Sequence, residues 1–221
     1  MHTVVYMVRF PKFCGFAGIL SMALFRIVLW QNKNFHFYKL MGSGKNGTFD
    51  IHPDWLQWCV LVVVKDDKHI NYLPTFINKY WQFFKVKKLQ IVLEPYMGHG
   101  TWDGKKCFGN EYNAIKKNNP IAVLTRASIR PSKLKQFWKH VPLVAKTMSG
   151  ASGLIQSFGV GEVPFIKQAT LSIWEDEVSI KNFAYAMQEH KLVVQKTRSE
   201  DWYSEDMFTR FNVLDIKGSL H

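Results

Sequence analysis

Residues 37–44, Phe37-Tyr38-Lys39-Leu40-Met41-Gly42-Ser43-Gly44, and residues 158–161, Phe158-Gly159-Val160-Gly161, are the two stretches whose comparison decides the fold. Gly159 and Gly161 stand 117 positions after Gly42 and Gly44 respectively. Each glycine pair is followed by a hydrophobic, strand-like run and then by an acidic pair: residues 58–64 before Asp66-Asp67, and residues 168–174 before Glu175-Asp176. Arg9 and Pro11 in the first half resemble Arg130 and Pro131 in the second. Self-similarity at a fixed offset is the signature of a repeated structural unit.

Outward from the first glycine pair, residues 3–10 read as a strand, the apolar run 13–25 as a helix, and 35–40 and 58–64 as strands. A helix over 73–84 and a strand at 89–93 follow. In the second half, residues 121–129 read as a strand and Pro131 suits a helix start. Leu134, Phe137, Trp138 and Val141 then recur at helical spacing. Strands at 154–158 and 168–174, a helix from Glu175-Asp176 through Met187 and a strand at 211–216 complete the set. The polar stretch 108–120, with Gly109, Asn110, Asn118 and Asn119, reads as a joint. The expectation is an α+β chain of two βαββαβ units, residues 1–110 and 120–221. Their sheets bury apolar faces against each other as a barrel with helices outside. Neither glycine pair fits a phosphate-binding loop, so both read as tight turns.

Composition narrows the function. The chain has 221 residues, 47% hydrophobic and 15% aromatic, which excludes intrinsic disorder. Cys14, Cys59 and Cys107 are widely spaced and lack any CxxC pair. They support neither a disulfide framework nor a structural zinc site, and a reducing, cytoplasmic compartment fits. The formal charge of +12 is scattered, concentrated only at residues 85–88 and Lys116-Lys117, with no nucleic-acid-binding motif, so no nucleic-acid partner is expected. The apolar run 13–25 ends at Arg26, short of a bilayer span of roughly 20 residues, and has no signal-peptide cleavage pattern. A buried or membrane-facing helix is expected.

No paired catalytic carboxylates, Ser-His-Asp order or metal-spaced cysteines are evident, which turns attention to the eight histidines. His2 and His221 are terminal, and His36, His52 and His69 have no evident partner; His140 falls off the apolar stripe of its helix and reads as solvated. His190 follows Phe183 and Met187 at helical spacing. It reads either as a half-buried histidine at a helix end or as an axial ligand to haem iron. Arg198, eight residues on, is suited to pair a propionate. His99, in Gly98-His99-Gly100-Thr101-Trp102, reads as a residue of a glycine-flanked loop at a pocket rim. Spacing alone does not choose between His190 and His99.

The run Phe37-Tyr38-Lys39-Leu40-Met41-Gly42-Ser43-Gly44 with Gly47 and Phe49 resembles a segment of the spheroidene monooxygenase family of bacterial carotenoid oxygenases. Further matches follow in the family's order: Leu93-Glu94-Pro95, His99-Gly100-Thr101-Trp102, residues 125–130, Phe137-Trp138 and Val141-Pro142. The densest stretch is residues 159–164, followed by Gln168, Ser172-Ile173-Trp174, His190, Arg198, Trp202, Phe208, Arg210 and Phe211. The resemblance covers nearly the whole chain and makes it a distant member.

It implies a haem-dependent monooxygenase that uses O2 and an electron donor to oxygenate an acyclic carotenoid. The duplicated plan is also similar to haem enzymes with a ferredoxin-like, dimeric α/β-barrel fold within one chain, such as the chlorite dismutases and dye-decolourising peroxidases. Those hold haem through a histidine of the C-terminal half. The resemblance therefore implies haem b (iron) in the second half, with His190 as metal ligand and Arg198 and Trp202 binding the cofactor. Arg126 and His99 are placed on the distal side or at the pocket rim, where a donor stabilises bound oxygen. An apolar substrate needs a greasy pocket, and one that resides in the bilayer favours peripheral contact with the inner membrane. Three alternatives stay open: a haem enzyme with another small substrate, of aldoxime dehydratase or peroxidase type; a haem carrier without turnover; and a cofactorless barrel whose His190 caps a helix. Oligomeric state is not legible.

Overall fold

The computed structural model describes residues 1–45, 48–112, 114–117, 120–186 and 201–220. Its first half runs β1 (His2–Arg9), α1 (Gly15–Trp30), β2 (Phe35–Gly44), β3 (Pro53–Val64), α2 (Thr75–Phe83) and β4 (Lys87–Gly100). The second runs β5 (Ile121–Ile129), α3 (Leu134–Ser149), β6 (Leu154–Val163), β7 (Lys167–Trp174), α4 (Glu177–Ala186) and β8 (Tyr203–Gly218). The strands close into one antiparallel barrel in the order β1-β3-β2-β6-β7-β5-β8-β4, so the α+β barrel with helices outside is as expected.

The barrel closes because every strand alternates an inward apolar residue with an outward one. Met7, Leu61, Ile91, Leu124, Leu171 and Phe211 meet inside, all buried. Eight strands leave a lumen that side chains fill, and here the connection after β4 helps to fill it. Trp102, Cys107 and Phe108 are buried in the same cluster, and Phe108 stands edge-on to Phe211 at 5.1 Å. The start of the expected joint is thus packed into the barrel. Further along that connection, the Lys117 N–H donates to Asn212 Oδ1 at 2.9 Å, and Asn212 Nδ2 donates to the Ile115 carbonyl at 3.0 Å.

The two glycine pairs are not tight turns. Gly42 and Gly44 lie in β2, Gly159 and Gly161 in β6, and the two strands pair with Gly42 opposite Gly161 and Ser43 opposite Val160. Of the two seams between the halves, the one opposite the β4–β8 pairing is therefore made by the two glycine-containing stretches. Ser43 Oγ donates to the Gly159 carbonyl at 3.2 Å and accepts from Gln57 Nε2 at 3.1 Å. Glycine is required because residues 48–50 cross over the seam. A Cβ on Gly159 would stand 2.4 Å from Phe49 Cα and 2.5 Å from the Thr48 carbonyl oxygen, and one on Gly44 2.2 Å from that oxygen. Backbone cannot yield as a side-chain tip does. Gly159→Val is expected to destabilise the protein by about 1–3 kcal/mol; an unchanged thermal midpoint by circular dichroism would refute the close crossing.

Two helix and strand expectations change length. The apolar helix passes Arg26 to Trp30, so that Lys12–Trp30, 19 residues, is long and apolar enough to cross a membrane by length and composition. One face of it is nevertheless seated on the barrel through Ala17, Phe25 and Leu29. The strand expected at 89–93 extends to Gly100, because the 16-residue β8 offers partners as far as Met207; a register shift between Pro95 and Met97 absorbs the proline.

Candidate functional site

The two flanks of the barrel are filled differently. Over β1 and β3, outward side chains such as Tyr6, Trp58, Val60 and Val62 meet Phe25 and Trp81 of the helices in one buried cluster. Tyr6 and Trp81 lie 5.7 Å apart, Phe25 and Trp81 5.9 Å. Over β5 and β7 the corresponding face carries Thr125, Ala127, Thr170 and Ser172, which are too short to reach α3 and α4. A cavity of about 530 Å³ remains between sheet and helices. Met148 of α3 and Phe183 of α4 line it on the helix side, and Phe49, carried in by the crossing segment, packs against Phe137 at 6.0 Å. That volume lies within the range of small-molecule sites, roughly 300–1,000 Å³.

The lining is mixed: His99, Arg126, Gln168, Asp201, Tyr203 and Asp206 border this space beside the apolar and aromatic side chains. Trp174 Nε1 donates to Ser172 Oγ at 2.9 Å, which occupies that hydroxyl. Tyr203 borders the cavity, and burial, aided by the charge of Asp206, pushes its phenol up to about 12, so it stays a neutral O–H donor at any working pH. Sequence reasoning passed over Tyr203. The legible signal was the run of short outward residues on two strands. The residues present fit a flat apolar group such as a macrocycle, because the floor is small and the roof apolar and aromatic.

Arg126, on β5, borders the cavity too, but its guanidinium is committed elsewhere. It is 1% exposed and ion-paired through Nη1 to Glu205 and through Nη2 to Asp103 at 3.2 Å, with its Cζ 5.8 Å from the Trp102 ring. Glu205 also accepts from Thr101 Oγ1 at 2.7 Å and from the Gly104 N–H at 2.8 Å. Asp103 pairs with Lys39 and, at 2.6 Å, with Lys167; Glu162 takes Lys39 at 2.5 Å and the Trp102 indole N–H at 2.5 Å. Three cations and three carboxylates thus seal one end of the barrel over Trp102. Burial works to raise the Glu205 carboxyl, but the Gly104 N–H, the Thr101 hydroxyl and Arg126 overcome it and hold it down at about 2. Asp103 is held at about 2 in the same way, burial being outweighed by Lys167 and Lys39.

His99 lies within β4, not in a loop, opposite Phe208 of β8. It is exposed, its ring 5.6 Å from that of Phe208, and it borders both the large cavity and a second one of about 240 Å³ that includes Cys107, Tyr112 and Thr209. Trp202 is buried beside Phe137 and Val141, and His140, expected on a solvated face, lies against it at 5.6 Å. The structure therefore brings His99 and Arg126 to the border of one cavity. His190 and Arg198 lie outside the described residues; α4, which roofs the cavity, ends at Ala186, a few positions before His190 in sequence.

One flank of this closed α+β barrel is solid and the other holds a cavity of small-molecule size, which defines a barrel with a candidate small-ligand site. A crystal structure of aldoxime dehydratase shares this fold, with a TM-score of 0.63 over 97% of the chain and 81% of that protein at 9% identity. A second aldoxime dehydratase structure, a co-crystal with butyraldoxime, gives 0.62 over 97% of this chain and 79% of that one, also at 9% identity. No protein-family model matches the chain. Among curated proteins, spheroidene monooxygenase of Rhodobacter capsulatus is 31% identical over 204 residues, 91% of this chain and 85% of that protein. The enzyme of the same name from Rubrivivax gelatinosus is 32% identical, covering 82% and 70%. That of Cereibacter sphaeroides is 32% identical over 82% of this chain, which spans 57% of the longer relative. The chain belongs to the spheroidene monooxygenase family, and with that membership it is a monooxygenase-type oxidoreductase.

Proposed function

We propose that this protein is a haem-dependent monooxygenase that places one oxygen atom of O2 on an apolar, carotenoid-like substrate held in the cavity over β5 and β7. The other oxygen leaves as water, with two electrons from a donor and two protons. The observation that supports this reading is the asymmetry of the flanks: the same barrel face is filled solid over β1 and β3 and hollow over β5 and β7. Haem b would supply a redox-active iron for O2. On the resemblance, His190 would hold that iron and Arg198 a propionate.

The described residues have their own tasks. Thr125, Ala127, Thr170 and Ser172 keep the floor low, while Met148 and Phe183 exclude water from above. Tyr203 offers a neutral hydroxyl and His99 an imidazole at the border. Trp202 backs α3 as a rigid wall. Arg126, spent on carboxylates, acts by fixing β5 and β8 rather than by donating to oxygen. We further infer that residues 1–110 and 120–221 are two copies of one ferredoxin-like unit, the second being the haem-binding half. The strand orders β4-β1-β3-β2 and β8-β5-β7-β6 match position for position, which supports this duplication.

Haemin titration tests the cofactor. A Soret band is expected for the wild type, shifted or lost in His190→Ala. No band in the wild type refutes the haem reading, and an unchanged band in the variant moves the ligand elsewhere. With haem bound, oxygen consumption in the presence of a reductant should rise on adding an acyclic carotenoid; no rise would leave a carrier.

A further inference from the structure

The flank opposite the cavity has a surface that water does not explain. An amphipathic helix on a barrel turns polar residues outward. Yet α1 exposes Phe16, Ile19, Leu20, Ile27 and Trp30, with Arg26 the one charged residue in the helix. The preceding turn exposes Phe13 at 93%, and α2 adds Phe83 at 79%. The two helices form one continuous surface: Phe16 meets Phe84 at 6.2 Å, Phe84 meets Phe83 at 4.9 Å, and Phe25 meets Phe76 at 6.3 Å. Exposed apolar area of this kind marks an interaction surface.

Charge identifies the occupant. Residues 1–49 contain no Asp or Glu, nor do residues 68–93, so neither helix carries an acidic side chain. Lys12, Arg26, Lys79, Lys85 and Lys87 of the same flank are all exposed. Lys12, Lys85 and Lys87 gather at the end where Phe13, Phe16 and Phe83 protrude, since Lys87 pairs in register with Arg9 just before the turn that carries Phe13. Protruding aromatic and aliphatic side chains ringed by lysines and free of acids match an anionic lipid surface: the rings enter the acyl boundary and the ammonium groups meet phosphates. Although the segment Lys12–Trp30 has the length of a span, α1 does not leave the barrel. Its other face is buried, Tyr80 Oη donates to the Ala17 carbonyl at 2.8 Å, and Gly18 sits directly against the Trp58 indole.

We propose that the α1/α2 flank docks the protein flat on an anionic bilayer, as a monotopic anchor. In the closed order, β1 and β3 lie diametrically opposite β7 and β5, so the anchored face and the cavity point in opposite directions. Docking is therefore separate from the substrate entrance, and this inference stands whether or not the haem reading does.

Co-sedimentation of the full chain with phosphatidylcholine vesicles, and with vesicles that also contain phosphatidylglycerol, tests it. Binding is expected to the anionic vesicles, with partition falling as salt rises. Replacing Phe13, Trp30 and Phe83 together by serine should reduce partition by roughly a hundredfold or more, while the thermal midpoint stays unchanged because all three are largely exposed. Lys85→Glu with Lys87→Glu should weaken binding to the anionic vesicles alone, by roughly fivefold per lysine. No wild-type binding, equal binding to both vesicles, or unaltered binding by a folded triple-serine variant would overturn the proposal. So would a wild-type dimer that the triple variant converts to monomer, which would make the flank an interface between copies. Wild-type salt and lipid dependence decide the matter even if a variant fails to fold.

Discussion

Arg126→Ala is expected to destabilise the fold by about 3 kcal/mol, toward the lower end of the roughly 3–5 kcal/mol typical when one partner of a buried ion pair is removed. Arg126 is 1% exposed and the variant strands Glu205, whose side chain is 19% exposed; Asp103, 36% exposed, keeps Lys39 and Lys167 and is rescued in part by water. Denaturant unfolding measures the loss. Arg126→Met combined with Glu205→Gln should recover much of it, since removing both charges leaves neither buried alone. A loss below about 1 kcal/mol in the single variant would mean the network is as weak as a surface pair.

The same network sets an acid limit. Glu205 and Asp103 both titrate at about 2 in the folded protein, against about 4 in an unfolded chain. Their folded values are depressed, so their contribution is fully present above about pH 4.5 and is lost as pH falls through about 2. The stability gap between wild type and the Arg126→Met, Glu205→Gln variant should therefore shift against the wild type over that window. A gap constant from about pH 7 to about pH 2 would refute the coupling.

Much of the architecture was legible because it is written locally. The apolar, β-branched run 58–64 and residues 121–129 marked strands whose inward residues fill the lumen, and the two glycine pairs flagged two strands, β2 and β6, that pair with each other. The role of those glycines was not legible. They read as turns because the requirement at Gly44 and Gly159 comes from residues 48–50 passing overhead, and the strand setting of Gly42 and Gly161 from their pairing with each other, contacts made only after closure. His99 was read as a loop residue for a similar reason: what keeps it in a strand is a register partner more than 100 positions away, Phe208. The ion pairs of Arg126 were not legible because its carboxylates, Asp103 and Glu205, lie far from it in the chain. The cavity left the clearest trace. Thr125, Ala127, Thr170 and Ser172 sit where Tyr6, Trp58, Val60 and Val62 fill the other flank. Taken singly, small polar residues on a strand's outer face suggest solvent; only with helices known to cover them do they signify a hollow.

That hollow yields the sharpest functional expectation. Thr170, on β7, lies beside Thr125 of β5 and Gly159 of β6 on the cavity floor. Thr170→Trp would raise the floor by an indole without touching the barrel interior, since it points into the cavity that the described residues leave over β5 and β7. The protein should stay folded, with a stability change within about 1–3 kcal/mol, and turnover should fall by at least about a hundredfold, because even a displacement of about 1 Å of a bound reactant costs that much. Thr170→Ser keeps the floor low and should retain activity. Leu143→Trp, on the exposed side of α3, should also retain it, separating occlusion from the mere presence of another aromatic ring. If Thr170→Trp turns over at the wild-type rate while folded, the chemistry does not occur over β5 and β7. The 240 Å³ space beside His99 and Cys107 would then be the next place to obstruct.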